Sequence, residues 1–286
     1  MSPDEKLLLD EIYQTALDAA IKASELVLQY WPNPLNPHFD KNKVMEIFEK
    51  NTGTGNYATI ADTESEDLII KMIQENPSLK NHTILAEESG GNKTQSPYLW
   101  IIDPIDGTQN FRNGMTDFGI SIGIVYNNEP LVGLIAMPAL GHILSAKKGE
   151  GATLLSIERK QLLDVTKIEY SEPLDKSLVA YDLGYENRAE QMKNSAEKIA
   201  DKVAYTLVYA SSSAANYRLA LGYVGSYFHM TPTKYDIAAA AVIIKEAGGV
   251  VTDMAGNQID WNASKVSYLG ARNSSLHQQL LALLNS

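Results

Sequence analysis

Apolar and polar residues recur along the chain with two periods, and each period predicts one kind of secondary structure. Apolar side chains from Leu9 to Val27 repeat at helical spacing, after a start, Ser2-Pro3-Asp4-Glu5, that has the form of a capping box. We therefore predict a long amphipathic first helix that ends at Trp31. From about Ser177 onward, short apolar runs alternate with helical patterns, which is typical of βαβ units.

The same two periods predict the other elements of an α/β fold, with an α+β first half and an α/β second half. Helical spacing predicts helices over Thr63–Ile73, Asn187–Asp201, Ser213–Leu221, Thr233–Glu246 and Leu276–Leu284. Apolar, β-branched or aromatic runs predict strands over Thr83–Ala86, Tyr98–Ile102, Phe118–Tyr126, Leu131–Met137, Leu178–Tyr181, Val203–Tyr209, Tyr227–Met230, Val250–Thr252 and Val266–Leu269, with a hairpin at Asn127–Pro130.

The strand predicted over Tyr98–Ile102 runs directly into two acidic residues, Asp103 and Asp106. Pro104 has no N–H with which to continue a ladder, so we expect the strand to end there. Gly107 then permits a tight turn with its backbone open to a ligand. The two carboxylates can point into one small volume, where two anions repel each other unless a divalent cation lies between them.

A second apolar run, Thr83–Ala86, also ends in acidic residues, at Glu87 and Glu88. If the two strands end side by side, Glu87 joins the two aspartates and adds another hard oxygen ligand of the kind that Mg²⁺ prefers. Thr108, directly after the glycine turn, can cap the next segment or hold a water. The sequence thus predicts a magnesium site at the ends of two strands.

The chain of 286 residues is acidic and has no cysteine. Lys and Arg number 24 and Asp and Glu 35, and the net charge of −11 disfavours nucleic acid or an anionic membrane as a partner. The absence of cysteine excludes disulfides and thiolate chemistry. The acidic start, and the lack of an apolar run of about 18 residues, predict a cytoplasmic protein that does not enter a membrane.

Three motifs together resemble the inositol monophosphatase family of Mg²⁺-dependent, lithium-sensitive phosphatases. The motifs are Glu87-Glu88-Ser89, Asp103-Pro104-Ile105-Asp106-Gly107-Thr108 and Tyr235-Asp236-Ile237-Ala238-Ala239. The resemblance implies a layered αβαβα sandwich, with a first half over residues 1–170 that carries most metal ligands and a second over 171–286, closely packed as one unit. It also implies a homodimer, two or three Mg²⁺ ions per site, and hydrolysis of a small phosphorylated metabolite by water without a phosphoenzyme.

The resemblance also implies a role for each matching residue. The implied metal ligands are Glu87, Asp103 and the Ile105 carbonyl for one ion, Asp103, Asp106 and Asp236 for a second, and Asp62 with Glu87 for a third. The implied catalytic residues are Glu87, Thr108 and Asp62, of which Glu87 and Thr108 orient the attacking water. The implied substrate-binding residues are Ile105, Gly107, Thr108, Ser211, Ser212, His229 and Asp236.

Several positions depart from the family pattern, and they concern substrate recognition more than metal binding. His229 stands where inositol-specific members have a glutamate for an inositol hydroxyl, and the substrate loop is Ala210-Ser211-Ser212-Ser213. Tyr235 replaces a tryptophan and Ala240 a glycine. An inositol phosphate-like polyol or sugar phosphate is the first expectation, and histidinol phosphate, 3′-phosphoadenosine 5′-phosphate and fructose 1,6-bisphosphate stay open as substrates.

Other motifs support competing hypotheses. Gly53–Ala58 matches the G-x-G-x-x-A dinucleotide fingerprint, which would indicate a nicotinamide-dependent oxidoreductase, although no buried strand precedes it. Gly119–Gly123 spells the G-x-S-x-G elbow of serine hydrolases, but the strand pattern continues through Ser121. Asp62 and Asp236 also suit helix capping, and a catalytically silent binding protein is a further alternative.

Overall fold

Two large β-sheets, a small two-stranded sheet and three layers of helices make up the fold, in a computed structural model that describes residues 3–43, 46–49, 57–92, 94–158 and 160–286. The helices are α1 (Pro3–Leu28), α2 (Ile60–Glu75), α3 (Thr108–Arg112), α4 (Arg188–Asn194), α5 (Ala196–Ile199), α6 (Ser212–Ala220), α7 (Lys234–Glu246) and α8 (Ser274–Leu284). The strands are β1 (Ile47–Glu49), β2 (Tyr57–Thr59), β3 (Thr83–Ala86), β4 (Tyr98–Asp106), β5 (Gly119–Tyr126), β6 (Glu129–Met137), β7 (His142–Lys147), β8 (Gly151–Ser156), β9 (Gln161–Asp164), β10 (Leu178–Asp182), β11 (Tyr205–Leu207), β12 (Ser226–His229), β13 (Val250–Thr252) and β14 (Tyr268–Ala271).

The first sheet has seven strands in the order β3-β4-β5-β6-β7-β8-β9, and only β3 and β4 run parallel. The predicted pairing of the two acid-terminated strands is therefore confirmed, with Ala86 opposite Ile102. The prediction that Pro104 ends the strand is wrong. Strand β4 continues to Asp106, because the register against β5 shifts between Asp103 and Asp106, and this bulge accommodates the proline.

The second sheet has five strands in the order β11-β10-β12-β14-β13. Strand β10 runs parallel to both β11 and β12, as the predicted βαβ pattern requires, while β14 is antiparallel to its two neighbours. A separate two-stranded sheet joins β1 and β2 ahead of α2.

The buried apolar side chains form three core clusters, and these clusters define the layers of the fold. Helices α1 and α2 cover the outer face of the first sheet, α6 and α7 fill the space between the sheets, and α5 and α8 pack on the outer face of the second. The mixed α/β architecture and the αβαβα layering expected from the sequence are confirmed. In the described parts of the chain, no helix has the combination of length and apolar character that crossing a membrane requires.

Helix α7 lies unusually close to the first sheet, because two glycines face it. A Cβ atom added at Gly123 would lie 2.6 Å from the Cβ of Ala238, and one added at Gly133 would lie 2.2 Å from the carbonyl oxygen of Ala239. Because α7 belongs to the second half of the sequence, the halves share one core. The division at residue 170 stays a prediction.

Other sequence predictions had mixed outcomes. The helix predicted over Asn187–Asp201 is two short helices, α4 and α5, interrupted at Ser195. Ser121 lies inside β5 and its hydroxyl donates to the carbonyl of Tyr235 at 3.0 Å, so it is no hydrolase elbow. Of the dinucleotide-like motif, residues 53–56 lie outside the described residues. Strands β7, β8 and β9 were not predicted.

Substituting Gly133 tests the close approach of α7. We expect Gly133→Ala to lower the free energy of unfolding by about 2–3 kcal/mol, because the added Cβ overlaps the backbone of Ala239. Gly149→Ala is the matched control, since its Cβ would meet nothing within 4 Å and only its φ of 80° is unfavourable, by roughly 1 kcal/mol. Denaturant unfolding measures both; equal losses would contradict the close packing.

Candidate active site

The ends of β3 and β4 bring the first acidic residues together. The backbone N–H of Glu87 donates to the carbonyl of Ile102 at 3.2 Å, so Glu87 begins where the pairing of the two strands stops. Asp103 follows Ile102, is only 2% exposed, and accepts the N–H of Ile105 on Oδ1 at 3.1 Å. Glu87 is also within hydrogen-bonding reach of Asp103.

Three carboxylates form a compact group, which we call the three-aspartate cluster. One oxygen from each of Asp103, Asp106 and Asp236 lies within 4.8 Å of the others. The cluster therefore joins the end of β4 to the start of α7, as the sequence motifs predict. Asp62 and Glu87, the other predicted metal ligands, are not members of this group.

Asp106 is bound by the first turn of α6. Its Oδ2 accepts the hydroxyl of Ser211 at 2.8 Å and the N–H of Ser213, and its Oδ1 accepts the N–H of Ser212 at 3.3 Å. Ser211 is the N-cap of this helix and accepts the N–H of Ala214 at 3.1 Å. The helix N-terminus, with its partial positive charge, thus orients and stabilises the Asp106 carboxylate.

Asp236 and Asp62 each belong to a capping box at the start of a helix. Oδ2 of Asp236 accepts the hydroxyl of Thr233 at 2.9 Å and also its N–H. Oδ2 of Asp62 accepts the N–H of Thr59 at 2.7 Å and its hydroxyl at 2.5 Å. Asp236 can cap α7 and also belong to the three-aspartate cluster, because the cap uses only one of its two carboxylate oxygens.

The turn after β4 places Thr108 beside Asp62. Gly107 has a φ of 83°, and a Cβ there would lie 2.8 Å from the Cβ of Ser211, so this position requires glycine. The Thr108 hydroxyl lies 3.2 Å from Oδ1 of Asp62 and 3.0 Å from the carbonyl of Ile105. The sequence allowed Thr108 to cap the next segment, but Thr108 does not cap α3. It connects the turn after β4 to Asp62.

The electrostatics of the site are those of crowded anions. Burial, and then the charges of neighbouring carboxylates, raises the pKa of Asp103 well above its ordinary value and that of Asp236 to about 8. Burial also raises the pKa of Asp106, although its hydrogen bonds to α6 oppose the rise. Among the residues that the structure describes, no cationic side chain is one of the largest influences on these three groups. A cluster of hard oxygen donors in such surroundings fits a divalent cation such as Mg²⁺.

His229, at the end of β12, is buried and lines the same cleft. The N–H of Thr231 donates to its Nδ1 at 3.2 Å, so the neutral ring carries its hydrogen on Nε2. Burial lowers the pKa of His229 to about 3. At neutral pH His229 is therefore a neutral hydrogen-bond donor.

Two buried carboxylates near the site were missed in the sequence. Glu66 on α2 accepts the N–H groups of Glu88 and Ser89, each at 2.7 Å, and so orients the turn that contains Glu87. Its spacing of four residues from Asp62 on one helix could have indicated a shared face. Asp182 stands at the end of the apolar run of β10, just as Asp103 stands at the end of the apolar run of β4. An acidic residue at the end of an apolar run was therefore the signal that could have identified Asp182.

Most of the predicted site residues line one cleft of about 1290 Å³ between the sheets. Its lining includes the three-aspartate cluster, Glu87, Thr108, Ser211, Ser212 and His229. Asp62 does not line the cleft and meets it only through Thr108. The role of each residue stays a prediction.

The sequence and the fold both resemble known phosphatases. The sequence model of the inositol monophosphatase family matches residues 8–286. The chain belongs to this family. It is 29% identical over 271 residues to an inositol-1-monophosphatase of Synechocystis, covering 93% of this chain and 86% of the relative. It is 31% identical over 237 residues to a fructose-1,6-bisphosphatase/inositol-1-monophosphatase of Thermotoga maritima, covering 83% and 86%.

Solved structures of the inositol monophosphatase family share the architecture. The Thermotoga maritima inositol monophosphatase superposes with a TM-score of 0.77 at 26% identity, over 96% of this chain and 97% of that one. The chain is accordingly a phosphatase of a metal-dependent family, and it contains an acidic cluster.

The raised carboxylate pKa values predict how stability depends on pH without metal. Burial raises the pKa of Asp62 to about 7, so this group and those of the cluster hold protons in the folded state that unfolded carboxylates, near 3.8, have lost. Unfolding then releases protons, and stability must fall as pH rises. Between pH 7 and 8.5 in EDTA, we expect the Tm to fall by about 3–6 °C.

Magnesium should cancel this pH dependence, because metal ligands are ionised in both states. Thermal unfolding with EDTA and with excess Mg²⁺ at both pH values makes the comparison. A metal-free protein with the same Tm at pH 7 and 8.5 would contradict the raised pKa values.

Proposed function

We propose that the protein is a Mg²⁺-dependent phosphomonoesterase that hydrolyses a small phosphorylated polyol or sugar phosphate. The observation that carries this proposal is the three-aspartate cluster in a cleft large enough for such a substrate. Asp103, Asp106 and Asp236 would hold the ions, together with Glu87, Asp62 and the Ile105 carbonyl by family resemblance. When bound, Mg²⁺ lowers the pKa of a water and stabilises the attacking and leaving oxygens at phosphorus.

The chain's own residues would handle the attacking water and its proton. Asp62 lies 3.2 Å from the Thr108 hydroxyl, so an ionised Asp62 can accept a hydrogen bond from Thr108. The Thr108 oxygen can then accept a hydrogen bond from the water, and the proton of the water would pass to Thr108 as the hydrogen of Thr108 passes to Asp62, with Glu87 orienting the same water. In-line attack at phosphorus needs no covalent enzyme intermediate, and no serine or cysteine nucleophile is proposed.

The substrate end of the cleft supports a choice among phosphorylated metabolites. His229 presents a neutral N–H donor where inositol-specific members have a carboxylate acceptor. A donor favours a substrate with an acceptor or an anionic group at that point, so sugar phosphates or bisphosphates compete with inositol monophosphate. The double name of the Thermotoga relative, fructose-1,6-bisphosphatase/inositol-1-monophosphatase, is consistent with this range.

Three further properties belong to the proposal through the family resemblance: two or three Mg²⁺ ions per site, inhibition by lithium, and a homodimer in the cytoplasm. The family assignment decides against a nicotinamide-dependent oxidoreductase. A phosphate-release assay distinguishes an active phosphatase from a catalytically silent family member, because the silent member would bind metal without releasing phosphate.

Asp103→Asn tests the metal site directly. The amide keeps the size of the side chain but removes the charge that is proposed to bridge two ions, so phosphate release should fall by roughly 10²–10³ or more. Asp175→Asn is the matched control, since Asp175 is exposed and lies in a different half of the chain. Phosphate release from a panel of phosphometabolites, with Mg²⁺ and with added lithium, provides the readout. Activity of Asp103→Asn within tenfold of wild type would contradict the proposal that Asp103 bridges two ions.

His229→Glu tests the substrate assignment. Restoring a carboxylate acceptor should raise kcat/KM for myo-inositol 1-phosphate, relative to the other substrates, by about tenfold if one hydrogen bond is regained. His229→Gln is the control, because it changes the ring without adding a charge. If the substrate ranking is the same in all three proteins, specificity must come from the Ala210–Ser213 loop.

A further inference from the structure

Asp182 is a buried carboxylate that the proposed chemistry does not use, although it lines the cleft at the end of β10. Its Oδ1 accepts the N–H of Ala210 at 2.9 Å, and its Oδ2 accepts the hydroxyl of Tyr227 at 3.2 Å. Both oxygens therefore have partners in the protein, and Asp182 is not a member of the three-aspartate cluster. These contacts indicate a role through other residues.

Ala210 needs an external acceptor because its backbone is unfavourable. Its φ is 53°, in the left-handed region where a residue with a Cβ is disfavoured, and an alanine side chain offers no local hydrogen bond in compensation. The bond from the Ala210 N–H to Asp182 provides that compensation. Without it, Ala210 would relax toward negative φ and redirect the chain that follows.

The chain that follows Ala210 contains the groups that bind Asp106. The hydroxyl of Ser211 and the N–H groups of Ser212 and Ser213 all meet the Asp106 carboxylate. A rotation at Ala210 would move all three together. A second connection supports the same turn, since the Tyr227 hydroxyl lies 2.7 Å from Oγ of Ser212 as well as beside Asp182.

We propose that Asp182 is a positioning residue that holds the Ala210 turn in its left-handed conformation and thereby orients Asp106 for metal binding. The inference rests on the proposed function, because Asp106 is there a metal ligand. The proposed role requires Asp182 as a hydrogen-bond acceptor and does not require its negative charge. An asparagine could accept from Ala210 through its oxygen and donate to the Tyr227 hydroxyl oxygen, whose single hydrogen would then be donated to Ser212 and no longer to residue 182.

Mg²⁺ titration of the metal-free protein by calorimetry tests the proposal without relying on turnover. We expect Asp182→Ala to weaken Mg²⁺ binding about tenfold, and Asp182→Asn to bind within about threefold of wild type. The double variant Asp182→Ala/Ala210→Gly should recover most of the loss, because glycine adopts a positive φ without a steric penalty. Asp175→Ala, which removes an exposed carboxylate, is the control for charge alone.

Rescue by Ala210→Gly separates positioning from general damage, because a glycine at residue 210 cannot fill the space that Asp182 leaves. Equal Mg²⁺ affinity in wild type and Asp182→Ala would overturn the inference and leave the proposed function intact. A tenfold loss in folded Asp182→Asn would also overturn it, and this variant decides the matter if Asp182→Ala does not fold. Absence of Mg²⁺ binding in the wild type would overturn the proposed function together with the inference.

Discussion

Electrostatic repulsion among buried carboxylates is the constraint on which the rest of this structure depends. Ionised groups lose most of their hydration when they are buried, and like charges a few ångströms apart raise the free energy further. The fold nevertheless places Asp103, Asp106 and Asp236 within 4.8 Å of one another. Hydrogen bonds to each carboxylate offset part of this unfavourable energy, and a divalent cation would offset much of the remainder.

Helix N-termini provide the hydrogen bonds to Asp106 and Asp236, whereas Asp103 accepts the N–H of Ile105 within β4. Asp106 accepts N–H groups from the first turn of α6, while Asp236 and Asp62 lie in the first turns of α7 and α2. Each helix therefore points its positive end toward the same volume. The site lies between the two sheets because α6 and α7 of the middle layer begin there, and α2 of the outer layer reaches it with its first turn.

Sequence reasoning identified the parts of the site whose chemistry is local. The pairing of β3 with β4, the glycine turn at residue 107 and the meeting of Asp103 with Asp106 followed from motifs and their spacing, while Asp236 was added through the family resemblance. The end of β4 was misplaced, because a bulge against β5 accommodates Pro104 and no local signal reports a bulge. Likewise, the neutral state of His229 depends on burial by distant elements, which a single sequence does not display.

Residues that act by orienting others were the hardest to find. Glu66 and Asp182 contact backbone N–H groups far away in the chain, and a carboxylate that binds backbone leaves no residue pattern at its partner. The strands β7 to β9 were missed for a different reason, since each has only a short or interrupted apolar run, and β9 at the edge of the sheet is mostly exposed.

The contact between α7 and the first sheet has a consequence for the order in which the protein folds. Asp236 reaches Asp103 only after α7 packs against Gly123 and Gly133, and such long-range contacts form late because loop closure is entropically unfavourable. A nascent chain that has completed only the first sheet has two of the three aspartates and none of the α6 amides. The proposed affinity for a divalent ion is thus acquired at the end of folding, so Mg²⁺ would stabilise the finished molecule through this site and not its precursors.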